Sequence, residues 1–149
     1  MRFLILLFAS GFGAGYVPLM PGTIGSIAGV LAFLVIYRMS GHVYLITLFA
    51  FIFLSIWISG RAESIYGKRD DKRIVIDEVA GMLVSLFAIP FSLKFLFLGF
   101  LLFRFFDITK IFPANIAQRK LNGGLAVVLD DIIAGIYTNI CLKLLIKYL

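Results

Sequence analysis

Five apolar runs occupy most of this chain, at residues 24–37, 43–59, 79–89, 93–106 and 125–149. They narrow the possible folds sharply. Hydrophobic residues make up 62% of the 149 positions and charged residues only 15%, too few polar groups to cover the exterior of a water-soluble domain. The expectation is an all-α, polytopic integral membrane helix bundle, formed by residues 1–149 as a single domain. Several runs fall short of the roughly 20 residues a helix needs to span hydrocarbon. Short and broken helices, with about four to five membrane segments, are therefore predicted. Pro90, with Ser92 and Lys94 beside it, divides the middle stretch into two helices. The alternative is one kinked helix over 79–106.

The charges favour five crossings. Threading the chain through all five runs puts Arg2, Arg61, Arg104 and the basic residues of 60–78 and 107–124 on one side, ten in all. Only Arg38, Lys94, Lys143 and Lys147 fall on the other. Loops rich in Lys and Arg stay cytoplasmic, so the first side is predicted to face the cytoplasm. All eight carboxylates gather on or near that same side. The net charge of +6 is better explained by topology and anionic lipid than by nucleic acid, and no nucleic-acid partner is expected. Cys141 is the single cysteine, which excludes an intrachain disulfide and a zinc site built on paired cysteines. The opening residues carry the basic residue and short apolar stretch of a signal peptide but no A-x-A-like cleavage site. They are expected to be part of the fold.

Four motifs carry possible chemistry. "PGTIGS" (21–26) reads as a glycine loop running into a helix N-terminus, where free N–H groups and the hydroxyls of Thr23 and Ser26 meet an anion. "RIVIDEVAG" (73–81) sets Asp77 and Glu78 beside Arg73 at the start of an apolar helix. Helix-dipole stabilisation accounts for one such acid better than for two. In "FRFFDITKIFP" (103–113), Arg104, Asp107 and Lys110 stand three apart on one helix face, either as a local ion-pair ladder or as a carboxylate flanked by phosphate-binding cations. "NGGLAVVLDDIIAG" (122–135) places Asp130 and Asp131 one to two turns inside the last apolar run. That is too deep for capping, and an intramembrane acid marks a functional site by default.

Adjacent carboxylates repel, and a divalent cation relieves the repulsion. Mg2+ takes oxygen ligands from a few carboxylates plus substrate phosphate, so the motifs together suggest metal-assisted phosphoryl transfer on a lipid-borne substrate. Asp131 is the expected metal ligand, with Asp77 and Asp107 as partners from other segments. Asp77, Glu78, Asp107, Asp130 and Asp131 form the candidate catalytic set; Thr23, Ser26, Arg73, Arg104 and Lys110 are the candidate phosphate-binding set. Other phosphatase designs fail on the residues. Six positions after Cys141 stands Lys147 rather than Arg, the D-x-D-x-T pattern is missing, and His42 is the sole histidine. A channel or transporter bundle with acids lining an ion path is the competing class.

In their order and over residues 11–135, "PGTIGS", "IVIDEVAG", "FRFFD" with Lys110 and Pro113, and "GG" followed by "LDDIIAG" resemble the phosphatidylglycerophosphatase A family. The resemblance implies an all-helical, Mg2+-dependent enzyme of the bacterial inner membrane. Its substrate would be the membrane phospholipid phosphatidylglycerophosphate, hydrolysed to phosphatidylglycerol and inorganic phosphate. Two positions depart from the family pattern. Ile111 replaces a proline and Ala126 a glycine; both changes affect loop shape rather than charge.

Overall fold

The computed structural model describes residues 1–148. Among these the regular structure is helical: α1 (Arg2–Ala9), a 3-10 turn (Ala14–Tyr16), α2 (Pro21–Ile36), α3 (Gly41–Tyr66), α4 (Ile76–Ser85), α5 (Leu93–Thr109), α6 (Ala114–Lys120) and α7 (Gly124–Tyr148).

The punctuation is set by local chemistry. Pro21 occupies the first turn of α2, where its missing N–H has no intrahelical partner to lose. Gly67 ends α3 in the left-handed region at φ 65°, the usual conformation just past a helix end. The stretch around Pro90 separates α4 from α5, so the chain forms two helices and not the kinked single helix. The carbonyls left over at the end of α4 are satisfied by neighbours. Asn139 donates to the carbonyls of Ser85 and Phe87, and the Tyr44 hydroxyl donates to Leu83.

One expectation is corrected here. "PGTIGS" is not a loop but the first turns of α2, with the N–H groups of Thr23 and Ile24 already bonded to the Met20 carbonyl. Proline at the first helical position starts the helix three residues earlier than the apolar run does.

Helix α4 is the centre of the bundle, with α2, α3, α5 and α7 packed around it. Val79, Met82 and Leu83 of α4 join Phe33, Phe103 and Leu142 in the main core. A smaller core ties α1 to the site end of α3 through Ile5, Ala9, Ile58 and Ala62. The helices alternate in direction. The starts of α2, α4 and α7 share one end of the bundle with the finishes of α3 and α5. At the opposite end Tyr37 stacks on Phe91. The outer surface stays apolar, with Val35, Ile46, Phe53 and Phe97 exposed. Among the described residues two helices, α3 and α7, are long and apolar enough to cross a membrane.

Candidate active site

Four elements deliver charge to the shared end. The first turn of α4 presents Asp77 and Glu78, α7 presents Asp130 and Asp131, and the end of α5 presents Arg104, Asp107 and Lys110. The turn preceding α4 adds Asp71 and Arg73. Helical spacing brings Arg104 and Asp107 into an ion pair along α5. Lys110 reaches across to α7, its Nζ 2.8 Å from Asp130 Oδ2.

Beneath these pairs, Asp77, Glu78 and Asp131 offer oxygens that lie within 4.8 Å of one another. Asp77 Oδ1 and Glu78 Oε2 are buried, and no donor among the described residues reaches either atom. Buried polar atoms are nearly always satisfied. Three converging carboxylates offer the oxygen donors that a hard cation takes, so these residues could hold a metal ion. Asp107, also expected as a metal ligand, pairs with Arg104, and its carboxyl neighbours that of Asp131. The third carboxylate whose oxygen converges with those of Asp77 and Asp131 is that of Glu78.

The group opens onto a cavity of about 680 Å³ lined by Gly22, Thr23, Arg73, Glu78, Arg104 and Lys110, among others. Asp77 and Asp107 also line it. Asp130 and Asp131 do not; they adjoin the cavity residues through Lys110 and the neighbouring carboxylates. Gly22 leaves room on α2 for two site side chains. A Cβ there would stand 2.7 Å from Glu78 Oε1 and 3.0 Å from Arg104 Nη1, so the absence of a side chain lets both groups share the cavity floor. Ser26 is not brought to the cavity. It is fully buried, and its hydroxyl donates to the Gly22 carbonyl.

Arg73 lies at the rim. Its Nε and Nη2 donate to the two carboxylate oxygens of Asp71, at 2.8 and 3.0 Å, and its guanidinium lies 3.7 Å from the centre of the Tyr66 ring. The hydrogen bonds from Arg73 hold the Asp71 carboxyl below the usual carboxylate range, against the opposing effect of its burial. Sequence reasoning named Arg73 but neither of its supports. The Asp71–Arg73 spacing was a readable signal. Tyr66 was not, since only the fold lays the end of α3 against this turn.

Fold and site together define a helical protein with an apolar exterior and a metal-fitting acidic centre that faces a cation-lined cavity. The chain belongs to the phosphatidylglycerophosphatase A family, whose sequence model matches residues 7–146. Two relatives carry that name. The Haemophilus influenzae protein is 36% identical over 91% of this chain and 85% of its own length. The Escherichia coli protein is 31% identical over 87% and 76%. A Bacteroides thetaiotaomicron protein, provisionally named a phosphatidylinositol-3-phosphatase, is 33% identical over 93% and 91%. No solved structure matches the chain. The family is one of lipid phosphatases, and the chain is an enzyme of that class.

Proposed function

We propose that this protein hydrolyses the terminal phosphate monoester of phosphatidylglycerophosphate, releasing phosphatidylglycerol and inorganic phosphate, in a Mg2+-dependent reaction. The observation that carries the reading is the group Asp77, Glu78 and Asp131, with two buried oxygens that no donor among the described residues reaches, set beside Arg104 and Lys110 in a chain of this family.

Asp77, Glu78 and Asp131 would hold the metal. When bound, Mg2+ polarises the phosphoryl oxygens and neutralises charge that develops on them. The remaining work falls to side chains. Arg104 and Lys110 bind the phosphate, the planar guanidinium fitting two oxygens at once. Asp107 and Asp130 orient them through the ion pairs. Of the five site carboxylates, Asp107 both lines the cavity and stands outside the metal group. It would accept the proton of the attacking water through the oxygen that Arg104 does not engage. Thr23, also in the cavity lining, adds a hydroxyl donor. The apolar wall beside the cavity, including Val17 and Met20, lets the lipid present its headgroup while its chains stay in the bilayer.

The apolar helices α2, α3, α4, α5 and α7 would each cross or enter the membrane, with the site end cytoplasmic, in a bacterial inner membrane. The deciding experiment is phosphate release from phosphatidylglycerophosphate in mixed detergent micelles, with and without Mg2+. The name of the Bacteroides relative makes phosphatidylinositol 3-phosphate the second substrate to include. Ion flux through reconstituted protein without phosphate release would overturn the reading.

A further inference from the structure

Four cations line the cavity, Lys72, Arg73, Arg104 and Lys110, and the three held in ion pairs are not equivalent. Arg104 and Lys110 are each paired with a carboxylate of the acidic centre. Arg73 is held outside it, on a different support. Asp71 engages its Nε and Nη2, the Tyr66 ring covers one face, and the Tyr66 hydroxyl is in turn bonded to that of Tyr16, 3.0 Å away. A Cβ on Gly15 would stand 2.1 Å from the Arg73 carbonyl, so the backbone beneath the residue is also closely fitted. Its side chain is 42% exposed, against 34% for Lys110 and 19% for Arg104, so it is the most open of the three to solvent. A rim guanidinium tied at Nε and Nη2 and stacked on one face keeps Nη1 available in a set direction. Such preorganisation lowers the entropy lost when it binds.

The cavity, at about 680 Å³, is in the range that receives a whole drug-sized ligand and is far larger than one phosphate needs. The substrate assigned above carries two phosphates. One is the monoester to be removed; the other is the diester joining the headgroup to diacylglycerol, nearer the membrane.

We propose that Arg73, braced by Asp71 and Tyr66, holds the bridging phosphodiester while Arg104 and Lys110 hold the terminal monoester. The cavity thereby selects lipids that carry both groups. The proposal rests on the reading of the chain as a phosphatidylglycerophosphate hydrolase. Asp71 and Tyr66 are positioning residues that act through Arg73.

The test uses the full-length protein in nonionic detergent micelles containing phosphatidylglycerophosphate and two inhibitors that divide the substrate between them. Phosphatidylglycerol has the diester only, and inorganic phosphate mimics the monoester only. Arg73→Gln is expected to raise KM about tenfold and to weaken inhibition by phosphatidylglycerol about tenfold, the scale of one charge-assisted contact. It should leave kcat within about twofold and inhibition by inorganic phosphate unchanged. Arg73→Lys should recover part of the loss. Asp71→Asn and Tyr66→Leu should shift the same two constants by smaller factors. Arg104→Ala should show the converse, weakening inhibition by inorganic phosphate more than by phosphatidylglycerol. Equal weakening of both inhibitors by Arg73→Gln, or a fall confined to kcat, overturns the diester assignment while the hydrolase reading stands. A wild-type protein that releases no phosphate overturns both.

Discussion

Gly81 of α4 and Gly135 of α7 cross in backbone contact: a Cβ on Gly135 would lie 2.5 Å from the Gly81 carbonyl oxygen. Each glycine follows a site carboxylate by four residues, Asp77 on α4 and Asp131 on α7, and so sits about one turn below it. The crossing holds the two acidic pairs side by side. A Cβ on Gly81 would likewise meet the Asp131 carbonyl at 2.7 Å. Small residues at helix crossings allow this approach in apolar bundles generally.

Widening the crossing should therefore damage the site from a distance. Gly135→Ala is expected to cost about 1–3 kcal/mol of stability, as overpacking does, and to lower turnover although the residue does not line the cavity. Gly41→Ala is the control, since nothing lies within 4 Å of a Cβ there. Thermal unfolding and phosphate release, measured on both variants, check this. An unchanged Gly135→Ala protein would refute the role of the crossing.

Metal binding should depend on Asp131 and Glu78 more than on Asp107. Asp131→Asn and Glu78→Gln should fold yet need more Mg2+, with turnover down on the order of a hundredfold or more as a phosphoryl clamp is lost. Asp107→Asn should lower turnover at an unchanged Mg2+ requirement. Mg2+ titrations of phosphate release separate these outcomes. A shifted requirement in Asp107→Asn alone would move Asp107 into the metal group in place of Glu78.

Arg104→Ala should lose most activity, and Arg104→Lys should recover only part of it. An ammonium cannot reproduce the two-point grip of a guanidinium or its pairing with Asp107. Steady-state kinetics of the two variants are the measurement, and full activity in Arg104→Ala would remove this residue from the site.

Stability should carry a pH signature from Asp71. Its native pKa lies below the ordinary carboxylate value of about 3.9. The stabilisation from its pairing with Arg73 is thus present above that ordinary value and lost as pH falls through the native one. Asp71→Asn should lower the thermal midpoint at neutral pH, and the gap to wild type should close in acid below about pH 4. A gap of constant size across the titration would show that the pairing contributes nothing.

In the five-crossing arrangement, the loops 60–76 and 107–124 lie on one side of the membrane. Single cysteines at Lys68 and Arg119, in a Cys141→Ser background, should react with an impermeant thiol reagent from the same side. Labelling from opposite sides would break the arrangement.

What the sequence determined by itself was the helical class of the fold, the break at Pro90 and the chemical inventory. Apolar runs broken by Pro90 dictate separate helices because hydrocarbon surface must be covered and proline interrupts the helical ladder. Arg104 and Asp107 could be paired on paper, since three residues along a helix place two side chains on one face. The motifs likewise carried the family resemblance without coordinates. Grouping between segments was decided only in three dimensions. Whether Glu78 or Asp107 joins Asp77 and Asp131 depends on how α4, α5 and α7 are rotated against one another. That rotation is held by close contacts such as Gly81 with Gly135 and with Phe103. Ser26 was named from its motif, but it turns inward because α2 begins at Pro21 and carries its hydroxyl back to the Gly22 carbonyl. Tyr66 lies seven residues from Arg73 in sequence and on another element. It becomes the floor beneath that guanidinium only when the chain folds back after Gly67. Sequence spacing specifies neighbours along one helix; packing of the glycine-bearing faces specifies neighbours between helices, and the site is built mostly from the second kind.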